Sequence, residues 1–297
     1  MNWNLDSRPK QFSAIIVLAL VWGSSFILMK RGLEFYSSIQ VAEFRLFIAC
    51  LALFPIALSQ IKKFPKKKKE RIGILMVGIF GNLFPAFLFA EAQTQLPSSV
   101  TGMLNSLVPF FTLVIGLIVF KTKSGTFQIA GVVLGLIGAI SLIYFTSSSG
   151  LNVVPISYSF MVIGATVCYA ISLNTIKAWL QEVPSVLITA FAFVLLGPFV
   201  TIGLFAENFW QLPFSSPDHL KAIGYLIILG VVGTGAAVLL FNQLIKFTSA
   251  LFASSVTYLI PIVALAWGIF DGEEIGLFQF GGLTLILGGV YLVSRKK

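Results

Sequence analysis

The stretch that decides the fold runs from Leu96 to Phe120, LPSSVTGMLNSLVPFFTLVIGLIVF, an apolar segment of helix length with Pro109 near its middle. Proline has no N–H to donate and its ring crowds the preceding turn, so the carbonyl of Asn105, four residues back, loses its helical partner. Facing lipid, such a carbonyl is costly; facing other helices, polar side chains or water, it is tolerated. A second stretch, Thr248 to Phe270, repeats the arrangement with Pro261, whose freed carbonyl belongs to Thr257. Interrupted helices at matching places in two halves of a chain point to a substrate site at the interface between those halves.

The composition around these stretches is that of a bilayer protein. The 297 residues are 57% hydrophobic and 10% charged, with a mean hydropathy of +0.96, whereas a soluble domain carries about 25% charged residues. A spanning helix needs about 20 apolar residues, which leaves room for about ten. Ten hydrophobic segments can be read, at 12–30, 39–59, 72–92, 98–120, 127–145, 153–176, 184–205, 220–243, 249–270 and 276–294. The expected fold class is therefore an all-α integral membrane protein of about ten transmembrane helices. Arg8 and Lys10 precede the first apolar run as they would in a signal peptide. That run, Phe12 to Met29, exceeds a usual h-region and shows no A-x-A cleavage pattern, so it is read as a retained helix.

The net charge of +9 does not indicate a nucleic-acid partner, because the basic residues sit in short loops and tails rather than on one folded face. The densest cluster, Lys62, Lys63, Lys66 to Lys69 and Arg71, follows the second segment. Short loops rich in Lys and Arg stay in the cytoplasm, which places both termini there and the protein in the cytoplasmic membrane as a multi-pass chain. Lys121, Lys123, Lys177, Lys246 and the Arg295 to Lys297 tail fall on the same side. Glu207, Asp218, Asp271, Glu273 and Glu274 fall opposite, with Lys30 and Arg31 as the exceptions.

The sequence also repeats. Phe127-Gln128 followed by Gly131, Leu134, Leu136 and Gly138 aligns without gaps on Phe278-Gln279, Gly282, Leu285, Leu287 and Gly289. Lys30, Ser38 and Phe44 align on Lys177, Ser185 and Phe191. A duplicated five-helix unit follows, residues 1–148 and 149–297. Because five is odd, the second copy enters the membrane from the opposite side, giving two inverted five-helix repeats. The glycines of segments five and ten make small-residue faces that let helices approach closely, so these two segments are read as buttresses without ligand contact.

Polar side chains on the remaining segments are the candidates for solute contact. Asn105 and Thr257 lead, at the carbonyls the prolines free. Pro109 and Pro261 join them, as do Asn82 in segment three, Trp22 and Ser25 in segment one and Tyr169 at the matching position of segment six. Thr234 in segment eight and Tyr258 in segment nine complete the set. Charged residues inside membrane segments are functional hypotheses by default. Glu43, Arg45 and Glu91 are therefore read as gate or coupling residues. Residues two apart do not face each other on a helix, so Arg45 is expected to pair with Glu91 or a helix carbonyl end, and Glu43 with Lys30. Glu91 is compatible with a proton as coupling ion.

Enzymatic readings have little to stand on. The single histidine, His219, lies in an expected outer loop, which removes His-based metal sites and the Ser-His and Cys-His arrangements. No H-E-x-x-H, G-x-S-x-G or P-loop occurs, and no cofactor or metal is implied. Cys50 and Cys168 are isolated within apolar segments and give no disulfide framework.

The combination resembles the EamA-type carriers of the drug/metabolite transporter superfamily over nearly the whole chain. The resemblance rests on Trp22-Gly23-Ser24-Ser25-Phe26 with Lys30, on Arg45, on Pro109 and Pro261, and on the glycine-rich fifth and tenth segments. It implies two inverted five-helix repeats around a central cavity lined mainly by segments one, three, four, six, eight and nine, and movement of small metabolites, often outward. The second copy departs from the motif. Tyr169-Ala170 replaces Trp-Gly, and Ala190 and Ala192 stand where the first copy has Glu43 and Arg45. The expected protein is a secondary transporter exporting amino-acid-like or other amphipathic solutes by alternating access. The competing readings are a membrane scaffold or sensor, which would have a closed apolar centre, and an intramembrane enzyme, which would have two carboxylates in a wet pocket.

Overall fold

Each apolar segment of the sequence becomes a helix. The computed structural model describes residues 5–148, 156–211, 216–271 and 278–294. Its helices, numbered here in chain order, are α1 (Arg8–Leu33), α2 (Ser38–Ser59), α3 (Lys68–Ala92), α4 (Ser98–Ile118), α5 (Thr126–Ser148), α6 (Ile156–Trp179), α7 (Ser185–Ala206), α8 (Pro217–Phe247), α9 (Ala250–Phe270) and α10 (Phe278–Ser294). Among the described residues there is no strand. Eight helices, α1 to α4 and α6 to α9, are long and apolar enough to cross a membrane, and Thr126–Gly138 within α5 is a shorter apolar helix. The repeat junction at 148/149, Glu273, Glu274 and the Arg295 to Lys297 tail lie outside the described residues.

Local chemistry starts these helices. At α2, the Gln40 N–H donates to Ser37 Oγ at 3.2 Å and the Ser37 N–H donates to Gln40 Oε1 at 3.0 Å, a reciprocal capping box. Ser216 and Ser249 cap α8 and α9 by accepting from the N–H groups of His219 and Phe252.

Four helices are interrupted, in two kinds. Helices α3 and α8 widen into π-helical turns at Ile79–Leu83 and Leu229–Ala236. Helices α4 and α9 tighten into 3₁₀ turns at Asn105–Leu107 and Ser255–Tyr258, just before Pro109 and Pro261. The tightening corrects one expectation. The Asn105 carbonyl is not left free, because the Val108 N–H reaches it in the 3₁₀ register. The Thr257 carbonyl is met from the other broken helix, where Ser106 Oγ donates to it at 3.3 Å. The two prolines thus leave the broken helices stitched together.

Glycine sets the closest helix approaches. A Cβ built on Gly131 would lie 2.7 Å from the Gly289 carbonyl oxygen, and one on Gly289 would lie 2.7 Å from that of Gly131. Gly131 also faces Val293, while Gly135 faces Gly289, so the numbering falls along α10 as it rises along α5 and the pair is antiparallel. Helices α2 and α7 are antiparallel by the same reasoning, with Glu43 against Gly203 and Cys50 against Gly197. Two large apolar clusters fill the interior, and Trp22 and Tyr169 pack against both. Many large apolar side chains face outward, among them Ile16, Leu51, Phe160, Phe199, Ile202 and Phe270, an exterior suited to lipid rather than water.

Candidate functional site

Between the two clusters lies a cavity of about 90 Å³. Trp22, Ser25, Phe26 and Met29 of α1 line it, as do Asn82 and Phe89 of α3, Asn105 of α4 and Tyr169 and Ser172 of α6. Thr234, Phe241 and Asn242 of α8 and Thr257 of α9 close the ring, and α2 contributes Arg45 and Leu46. No described residue of α5 or α10 lines the cavity.

Most of the polar lining is already occupied by the protein itself. Trp22 Nε1 donates to the Gly233 carbonyl at 3.0 Å, and the indole meets Phe241 edge-on at 4.8 Å between ring centroids. Ser25 Oγ donates to the Val21 carbonyl and Thr257 Oγ1 to the Ser254 carbonyl, both at 2.8 Å, the back-bonding that hydroxyls adopt inside helices. Asn82 Nδ2 donates to the Val77 carbonyl at 3.0 Å, and Thr234 Oγ1 to the Leu229 carbonyl at 2.9 Å. Both bonds reach five residues back, beside the π turns of α3 and α8. The same pairing recurs in helix packing, since a Cβ on Gly81 would strike Ser172 Oγ and one on Gly233 would strike Ser25 Oγ.

Asn105 is different. It is 5% exposed, and its Oδ1 is one of three buried side-chain oxygens among the described residues that have no hydrogen-bond partner. The others, Glu43 Oε2 and Gln93 Oε1, do not line the cavity. A buried acceptor without a donor costs about 1–3 kcal/mol, and this one belongs to a residue of the cavity wall.

Pro109, Tyr258 and Pro261 do not line the cavity. Each proline sits in the first turn after its 3₁₀ segment, where it shapes the break rather than touching its contents. Tyr258 is fully buried, its ring over Gly135 and its hydroxyl donating to the Val132 carbonyl at 3.4 Å. It therefore points at α5, away from the cavity.

The expected charge pairs do not form. Glu91 accepts from Ser38 Oγ at 2.5 Å instead of meeting Arg45. Lys30 and Arg31 both bind Asp271, and Arg31 also binds Glu34 at 2.6 Å, which accounts for two cations at the far end of α1 from the lysine-rich loop. Glu43, two residues from Arg45 and so on another face of α2, packs against Gly203 on α7. Arg45 turns into the cavity, where Nε and Nη2 donate to Thr234 Oγ1 at 3.3 and 3.2 Å and Nη1 lies 3.9 Å from Met29 Sδ. Among the described residues no carboxylate lines the cavity, and no cluster of three or more His, Cys, Asp or Glu side chains suits a metal ion.

The sequence model of the EamA-like transporter family matches residues 10–144 and again 156–295. The chain belongs to that family. Its relatives include an uncharacterized transporter of Archaeoglobus fulgidus, 28% identical over 95% of this chain and 99% of that protein. The uncharacterized inner membrane transporter YedA of Escherichia coli is 25% identical over 96% and 91%. A probable amino-acid metabolite efflux pump of Salmonella typhimurium is 25% identical over 96% and 95%. A solved crystal structure shares the fold, with a TM-score of 0.72, 14% identity and 97% of each chain covered. This EamA-like chain is accordingly a multi-pass membrane transporter. Gly81 and Gly233, each one residue before the π-turn side chains Asn82 and Thr234, were not singled out from sequence. The signal was present: they stand as far apart as Pro109 and Pro261.

Proposed function

We propose that this EamA-like transporter exports small organic metabolites, amino-acid-like or otherwise amphipathic, across the cytoplasmic membrane by alternating access between two inverted five-helix repeats, 1–148 and 149–297. The observation that carries the reading is a cavity lined from both halves of the chain, with Asn105, whose buried Oδ1 has no partner, in its wall. A carrier must leave such a group for its solute, whereas a scaffold or sensor would have packed it or bonded it. Several matched features support the inverted duplication: the π turns of α3 and α8, the 3₁₀ breaks of α4 and α9, and the antiparallel pairs α2/α7 and α5/α10. All ten helices then span, with the lysine-rich loop after α2 and both termini on the cytoplasmic side. The aromatic and apolar walls, Trp22, Phe26, Phe89, Tyr169 and Phe241, suit solutes with an apolar body. Glu91 is the residue assigned to proton coupling; in that case its change to Gln abolishes the response of transport to a pH gradient.

The test compares culture media, by mass spectrometry, from cells expressing wild type and Asn105→Leu at matched membrane abundance. A metabolite enriched outside wild-type cells and reduced severalfold for the variant is the expected result. Equal enrichment would leave transport standing and remove Asn105 from the site. No enrichment, together with no uptake into or release from proteoliposomes, would overturn the carrier reading.

A further inference from the structure

Arg45 is the unusual group in the cavity. It is the eighth residue of α2, hence roughly 10 Å along the helix from its end, at a depth where an unpaired charge is expensive. Among the described residues it has no carboxylate within ion-pair distance; its recorded partners are one hydroxyl and one thioether. The hydroxyl is weakly committed to it. Thr234 Oγ1 gives its own proton to the Leu229 carbonyl at 2.9 Å and accepts from the guanidinium only at 3.2 and 3.3 Å. A guanidinium has five N–H donors, so with these contacts made, two N–H groups remain for something else in the cavity. The acids that could have neutralised Arg45 are engaged elsewhere or face away: Glu91 on Ser38, Asp271 on Lys30 and Arg31, and Glu43 against Gly203. Opposite chemistry lies in the wall of the same cavity, where Asn105 carries a buried Oδ1 that is an acceptor without a donor.

We propose that Arg45 is the anchor for a solute carboxylate, and that the transported class is a monocarboxylate with an apolar body and an N–H or O–H donor for Asn105. The inference deepens the proposed function and rests on it. A guanidinium fork matches the two oxygens of a carboxylate, and the bound carboxylate would be the missing counter-ion. A single cation between the apolar walls of Phe26, Met29 and Phe89 compensates one negative charge, which favours a carboxylate over a phosphate dianion. The anchor is one-sided. Ala192 occupies the matching position of the second half, so a solute is held by its carboxylate toward the α2 start and by its donor nearer the two broken helices. The cavity thereby reads the orientation of its cargo as well as its charge.

The experiment uses the purified full chain in proteoliposomes, with leucine, methionine, phenylalanine and threonine each tested beside its carboxamide, and leucine beside 4-methylpentanoate. For wild type, at least one carboxylate is expected to compete for transport tenfold or more better than its amide, the size of one charge-assisted hydrogen-bonded contact. Arg45→Gln should abolish that preference and Arg45→Lys should retain part of it. Asn105→Leu should narrow the advantage of leucine over 4-methylpentanoate severalfold while leaving the preference over the amide. If Arg45→Gln is not recovered as a monodisperse protein, the wild-type comparison of acid with amide still decides. Equal competition by acids and amides in wild type, or a preference that survives Arg45→Gln, overturns the inference. So does failure of every carboxylate, and in that case export of the metabolite found in the culture medium would leave the carrier reading standing.

Discussion

Removing the Ser106 hydroxyl tests whether the two broken helices are joined as described. Ser106 is 1% exposed and Thr257 4% exposed, and the hydroxyl donates to the carbonyl that Pro261 deprives of its helical N–H, at 3.3 Å. That length lies beyond the usual range for an O–H···O bond, so the bond itself is weak. Ser106→Ala removes one oxygen, leaves no sizeable cavity, and strands a buried carbonyl. Stranding costs about 1–3 kcal/mol in general, while side-chain hydrogen bonds measured in membranes average about 0.6 kcal/mol. The long geometry favours the lower figures, and we expect a loss of about 1 kcal/mol. Pro261→Ala supplies the Thr257 carbonyl with a new N–H from its own helix, so adding Ser106→Ala to that background should cost close to nothing. The double variant is therefore expected to be more stable than the sum of the singles by about 1 kcal/mol, well above the 0.3–0.5 kcal/mol scatter of independent sites. Unfolding of the four proteins in mixed detergent, followed by tryptophan fluorescence, measures the cycle. Additive losses would refute the proposed link between the proline and the hydroxyl.

Two further perturbations probe other parts of the fold. Gly233→Ala would place a Cβ 2.7 Å from Ser25 Oγ but 3.8 Å from its Cβ, so the variant should lose about 1–3 kcal/mol from overpacking and Ser25→Ala should restore most of it. The mirror pair will be rescued less well, because a Cβ on Gly81 also lies 3.1 Å from Ser172 Cβ; the same unfolding assay reads both pairs. Asp271 is the acid-sensitive group of the ion cluster. The hydrogen bond from Lys30, helped by the Lys30 and Arg31 charges, holds its carboxyl below the ordinary aspartate value. A depressed carboxyl contributes stability that is fully present above the ordinary value, ~4, and lost as pH falls through the lower folded value. Wild type should therefore exceed Asp271→Asn in thermal stability at neutral pH and converge on it as pH falls below about 4. The difference should stay under about 1 kcal/mol, since Lys30 is 37% exposed.

Why the helices could be read in the sequence while the contacts within the site could not is a matter of which forces leave a periodic trace. Membrane helices announce themselves through length and apolarity, because every backbone polar group must be satisfied inside the segment; all ten segments accordingly became helices. The prolines announce the breaks in the same way, since a missing N–H is a property of one residue. What a released carbonyl then does depends on its neighbours. Asn105 and Thr257 carry the same local signature, yet one carbonyl is recaptured by its own 3₁₀ turn and the other by Ser106 of another helix. Charge pairing is harder still. Arg45, Glu91, Glu43 and Lys30 are compatible by sign and depth with several pairings, and rotation about each helix decides among them. That rotation is set by glycines: Gly203 accepts Glu43, and the Gly230 Cβ direction meets Ile48 and the Arg45 carbonyl, so α2 presses against both α7 and α8. With its faces so committed, α2 delivers the Arg45 side chain to the cavity. An arginine left there without a carboxylate, and an asparagine of the same cavity wall whose oxygen is left without a donor, are unmet requirements of opposite kind. One solute bearing both complements would satisfy them together.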